Sequence, residues 1–131
     1  MISEIFIASN KEPTISIGGI IKTINSNTLI GDTNFFINES CEYCGSFLKF
    51  FPLYSIILNI EEDHLDFFKD IDDIRASFKR FISNIKDGGN LVINNNILDV
   101  KDITSNTDCN IITYGNMNAN VRAENIVYDM L

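Results

Sequence analysis

Two short runs concentrate the side chains able to do chemistry. The first, INESCEYCGSF at 37–47, sets Cys41 and Cys44 in a C-x-x-C and interleaves Glu39 and Glu42 at the same spacing. Thiolates at that spacing suit a zinc knuckle or a redox pair, whereas the two glutamates suit a hard divalent cation. The second, NIEEDHLDFF at 59–68, holds the only histidine of the chain, His64, among Glu62, Asp63 and Asp66. Imidazole and carboxylate together make a mixed ligand set, so Glu39 and His64 could serve one ion if the fold brings them together. The bland alternatives are a capping histidine, solvated acidic loops and two ordinary small cysteines. A zinc site would draw its remaining ligands from Cys109 and His64, which are distant in sequence and lack a second paired knuckle.

Elements that could position these runs follow from hydrophobic period. Short runs rich in Ile, Val and Phe at 14–17, 28–30, 34–38, 54–60, 91–94, 110–114 and 121–128 read as strands. Turn signals at Gly18-Gly19, 25–27 and Gly31-Asp32 divide the early ones, and Pro13 opens the first. Over 71–85, Ile71, Ile74, Phe78, Phe81, Ile82 and Ile85 fall on one helical face, with Asp70, Asp72 and Asp73 at the anion-favouring end and Gly88-Gly89 as the stop. Residues 1–9 carry Ile2, Ile5 and Phe6 at helical spacing but open without a capping residue, and this face is expected to pack on the sheet. The alternation predicts an α/β fold, a mostly parallel sheet flanked by helices, in one domain spanning 1–131. In such a sheet ligands gather beyond the carboxyl ends of strands, and both Glu39, after NFFIN, and His64, after YSIILNI, occupy such ends.

The composition excludes several classes. A net charge of −8 with no run of Lys or Arg gives no phosphate track, so nucleic acid is not an expected partner. Lys22, Lys79 and Arg80 are open to reading as substrate contacts or as surface charge, and surface charge is the expectation. No apolar run approaches the length of a membrane span, and acidic Glu4 sits where a signal peptide needs positive charge, so no membrane association and a cytoplasmic location are expected. Three cysteines in a reducing compartment read as thiols.

NESCEYCGSFLKFFPLYSIILNIEEDHLDFF resembles the central-domain signature of the Mur ligases, the ATP-dependent ligases of peptidoglycan precursor synthesis. It is most similar to the branch acting on UDP-N-acetylmuramate and L-alanine, whose pattern runs E-A-(C/D)-E-x-x-x-S-F-L, then a Pro, then N-I-E-x-D-H-x-D. SIGGIIKTI, NIITYG and VRAENI extend the resemblance along essentially the whole chain. The resemblance implies Glu39 and His64 as ligands of a magnesium ion placed between the γ-phosphate of ATP and the substrate carboxylate. It further implies Glu42, Asn59 and Asp63 as supporting or nucleotide-side residues. Sequence physics alone favours Mn²⁺ or Zn²⁺ with an imidazole ligand; the resemblance implies Mg²⁺. The family's G-T-x-G-K-(S/T) phosphate loop is missing from the sequence, and the opening helix is similar to the back half of the helix that follows that loop. The expectation is therefore a partial central domain, without the UDP-binding and amino-acid-binding domains and inactive alone. Readings from other classes are a non-catalytic acidic α/β binding module and a small zinc or redox protein using Cys41 and Cys44.

Overall fold

The computed structural model describes residues 1–116 and 118–128. The chain divides into two compact units, Met1–Cys41 and Glu42–Leu131.

In the first unit, helix α1 (Ile2–Ala8) precedes a three-stranded sheet of β1 (Thr14–Ile21), β2 (Ser26–Leu29) and β3 (Phe36–Asn38), in the order β2-β1-β3. β1 runs antiparallel to β2 and parallel to β3. Gly18-Gly19 was expected to end a strand. It lies inside β1 instead, where the β1–β2 register shifts between Ser16 and Ile21. A glycine pair lacking side chains to pack is suited to such an irregularity, so the chain bends without leaving the ladder. Ile15 and Ile21 point inward and are buried. The helix differs from expectation in its phase. Ser3 is buried, Phe6 and Ile7 are half-buried, and Ile2 and Ile5 are exposed. Phe6 sets the phase by meeting the edge of Phe35, ring centroids 5.2 Å apart.

In the second unit, a 3-10 segment (Tyr43–Lys49) leads into β4 (Tyr54–Ile57), followed by α2 (Ile71–Ser83), β5 (Asn90–Asn94), α3 (Val100–Ile103) and β6 (Asn110–Tyr114). The sheet is entirely parallel, in the order β4-β5-β6. Asp70 caps α2 by accepting the Asp73 amide at 3.0 Å, and the Asp73 carboxylate returns to the Lys69 amide at 3.2 Å. The acidic run thus closes the helix start reciprocally, satisfying two backbone donors. Gly89 is required where α2 turns into β5. A Cβ there would stand 2.7 Å from the Lys86 carbonyl oxygen and 2.8 Å from that of Leu53.

One face of this sheet carries the core: Ile57, Leu91 and Ile93 pack with Phe47 of the 3-10 segment, Phe81, Ile82 and Ile85, and Val100 and Ile103. The stripe read from the sequence at 71–85 supplies the helical part, since Phe81 stacks on Phe47 at 4.8 Å. The opposite face differs. Tyr54 and Ile56 of β4, and Leu58 just beyond its end, are exposed, and Ile112, in register with Val92 and Ile56, is only partly covered. The strand expected at 121–128 reduces to a single bridge between Tyr114 and Val121. Val127 and Tyr128 are exposed, so alternating apolar residues there meet no ladder. The 3-10 segment and α3 had no counterpart in the sequence reading, being too short to establish a period.

Candidate metal centre

β4 ends at Ile57, and the chain then crosses the carboxyl end of the sheet through Asn59 to His64. The carbonyl of Leu58 accepts the Asn94 side-chain amide at 3.1 Å and the Tyr114 hydroxyl at 3.4 Å, which ties this crossing to the ends of β5 and β6. His64 then adopts a left-handed backbone, φ 52°. That conformation costs a β-carbon-bearing residue about 1–2 kcal/mol and is held by its neighbours. The His64 amide donates to the Asp63 carboxylate at 2.7 Å, and its carbonyl accepts the amides of Phe67 and Phe68 at 2.8 and 2.9 Å. Phe68, buried to 3% exposure, anchors the turn.

This loop meets the start of the 3-10 segment. His64 Nε2 stands 3.8 Å from Glu42 Oε1 and 3.9 Å from Asp63 Oδ2. Among the described residues, Glu42, Asp63 and His64 form the grouping of potential metal ligands, with donor atoms all within 4.8 Å of one another. An octahedral ion held at about 2.1 Å needs donors roughly 3–4 Å apart, so the set fits a small divalent cation after a modest contraction. The Tyr43 ring lies against the imidazole with centroids 4.7 Å apart, and its hydroxyl donates to Asp66 Oδ2 at 2.9 Å. That hydrogen bond, and then the negative charge of Asp66, raise the Tyr43 hydroxyl above the ordinary tyrosine pKa.

Asn59 is exposed, and its side-chain oxygen accepts the Ile60 amide at 3.0 Å, outside the three-residue grouping. Glu39 belongs to the first unit, immediately after β3. Its amide donates to the Ser16 carbonyl at 2.9 Å, continuing the parallel ladder, and its Oε2 accepts the Gly18 amide at 2.8 Å. The glutamate is therefore held on the glycine pair of β1 with one carboxylate oxygen engaged. Cys41, Cys44 and Cys109 are free thiols, and Cys44 takes a left-handed backbone, φ 53°, at the kink of the 3-10 segment. Lys79 pairs with Asp102 at 3.2 Å as part of the α2–α3 surface. The sequence reading named Asp66 only as one acid of the His64 run and missed Tyr43, for an aromatic and an acid paired at 23 residues' separation leave no local signal.

The profile of the Mur ligase middle domain matches residues 8–130. The chain belongs to the Mur ligases. Among curated relatives it is 50% identical over 133 residues to the UDP-N-acetylmuramate--L-alanine ligase of Lachnospira eligens, covering 100% of this chain and 29% of that protein. It is 52% identical over 130 residues to the ligase of the same name from Agathobacter rectalis, covering 98% and 28%. The chain thus spans under a third of the length of these Mur ligases. Among solved structures it is similar to the UDP-N-acetylmuramate:L-alanyl-gamma-D-glutamyl-meso-diaminopimelate ligase from Neisseria meningitides, with a TM-score of 0.75 at 19% identity over 86% of this chain and 40% of that one. MurF from Acinetobacter baumannii gives a TM-score of 0.63 at 18% identity over 92% and 29%. These structures establish the shared Mur ligase fold, an α/β domain with a parallel sheet. No helix among the described residues is long and apolar enough to cross a membrane.

Proposed function

We propose that these residues are the central-domain part of a cytoplasmic, ATP-dependent ligase that joins L-alanine to UDP-N-acetylmuramate in peptidoglycan precursor synthesis. The 50% identity to a ligase of that name across the entire chain carries the reading. The donor grouping beyond the carboxyl end of β4 supports the chemistry. In the proposed reaction the muramoyl carboxylate attacks the γ-phosphorus of ATP, forming an acyl phosphate and releasing ADP. The amine of L-alanine then attacks the acyl carbon, forms the amide and expels phosphate.

Both steps bring anions together, and positioning with electrostatic stabilisation supplies most of such catalysis. A bound Mg²⁺ would screen charge between the phosphate and the carboxylate. Glu39 and His64 would hold it. Asp63 fixes the His64 backbone, while Glu42 adds negative charge beside the imidazole. Convergence of Glu39 on this cluster is part of the proposal, as is contact of Asn59 with the nucleotide side. Reading 1–131 as one partial domain also belongs to it.

A chimera tests this directly. Residues 1–131 replace the matching segment of the Lachnospira eligens ligase, and L-alanine-dependent phosphate release is measured with ATP, Mg²⁺ and UDP-N-acetylmuramate. Activity is expected, with Glu39→Ala and His64→Ala each lowering turnover by about 10²–10³-fold. A folded chimera that binds substrates without alanine-dependent turnover, or one indifferent to both substitutions, would overturn the proposal.

A further inference from the structure

The two carboxylates beside His64 lie 3.8 and 3.9 Å from Nε2, beyond hydrogen-bonding distance, so neither fixes the orientation of the ring. The backbone of His64 is fixed by Asp63, Phe67 and Phe68, but those contacts leave the side-chain torsions free. Tyr43 makes the close packing contact. Its ring covers the imidazole at 4.7 Å with a 35° tilt, in the range of favourable aromatic pairs. Tyr43 is itself immobilised from two sides: its hydroxyl donates to Asp66, and Phe67 meets it edge-on at 5.9 Å. Asp66 and Phe67 lie in the same turn as His64, so the tyrosine closes a ring of contacts from the 3-10 segment to the histidine loop and back.

We infer that Tyr43, anchored by Asp66, is a positioning residue that sets the orientation of the His64 imidazole toward the Glu42 and Asp63 carboxylates. Its consequence for metal affinity rests on the reading of His64 as a ligand. The ligand class is a divalent cation of Mg²⁺ or Mn²⁺ type, and Tyr43 touches the imidazole rather than the ion.

His64 is the only histidine, so one set of imidazole resonances reports on the site in the 131-residue chain. NMR spectra of the metal-free protein and an Mn²⁺ titration are recorded for the wild type, Tyr43→Phe, Tyr43→Leu and Asp66→Ala, with amide dispersion checking the fold. The Tyr43 ring current is expected to displace the imidazole resonances in the wild type and in Tyr43→Phe, and the displacement to vanish in Tyr43→Leu. Mn²⁺ broadening of these resonances should require about ten-fold more metal in Tyr43→Leu, with an intermediate loss in Tyr43→Phe, which keeps the ring but not its bond to Asp66. Should Tyr43→Leu fail to fold, Asp66→Ala carries the test, with an intermediate loss of both signals expected. Unperturbed imidazole resonances in the wild type would overturn the inference. So would equal Mn²⁺ affinity in wild type and Tyr43→Leu, and that result leaves the metal reading standing. A wild type whose His64 ignores millimolar Mn²⁺ overturns the metal reading, and the proposed role of Tyr43 with it.

Discussion

His64 combines a strained backbone with the sole imidazole of the chain, and the two features make separable demands. Glycine takes φ 52° without penalty, whereas alanine retains the β-carbon clash. His64→Gly is therefore expected to be more stable than His64→Ala by about 0.5–1 kcal/mol after the extra chain entropy of glycine is counted, measured by urea unfolding. Both substitutions remove the imidazole and should weaken Mn²⁺ binding alike, read from broadening of the Asp63 and Asp66 backbone amides, so function and stability part company at one position. A gap of zero would show that the loop relaxes around the alanine. The sequence displayed this cluster by composition alone: a single histidine flanked by acids after an apolar run, and paired glutamates after another. It could not display the pairing of Tyr43 with His64 and Asp66, because stacking across a sequence separation of about twenty residues depends on how the 3-10 segment folds back.

At the level of elements, α2 and its junctions carry the second unit. Ile82, 1% exposed, belongs to the core cluster with Leu91 and Ile93 of the sheet, and its truncation to alanine should cost about 2–5 kcal/mol in urea unfolding. Removing the cap with Asp70→Ala should cost about 1 kcal/mol, because the Asp73 amide loses its acceptor. A loss near zero would mean that water substitutes for the carboxylate. Periodicity made α2 readable in the sequence, as a thirteen-residue helix holds several turns of one apolar face. The parallel strands were readable as continuous apolar runs bounded by Gly and Asn. The segment 121–128 failed for a physical reason: alternation marks a strand only where a neighbouring strand offers its ladder, and here Val121 alone finds one.

For the molecule as a whole, the proposed reading expects no nucleotide turnover from these residues in isolation, because they carry no G-T-x-G-K-(S/T) run. Each missing donor to a developing anion is worth on the order of 3 kcal/mol, so the chain alone should release no measurable phosphate from ATP. The assay is run with Mg²⁺, with and without UDP-N-acetylmuramate and L-alanine. Turnover abolished by Glu39→Ala would show that a complete nucleotide site exists in these 131 residues.

The one-sided sheet of the second unit also bears on how the protein behaves in a tube. Parallel sheets ordinarily bury both faces, yet Tyr54 and Ile56 face solvent on a strand that is also a sheet edge, with Leu58 exposed just beyond it. What keeps such surfaces apart in solution is mutual repulsion from a net charge of −8. Acidification toward the isoelectric point near 4.4 removes that repulsion, and salt screens it even at neutral pH. Light scattering should therefore rise steeply below about pH 5.5 and with added salt, while Ile56→Lys, which places a charge on the open face, should delay the onset. Purification is accordingly best kept at low ionic strength and mildly alkaline pH, where turbidity will be least.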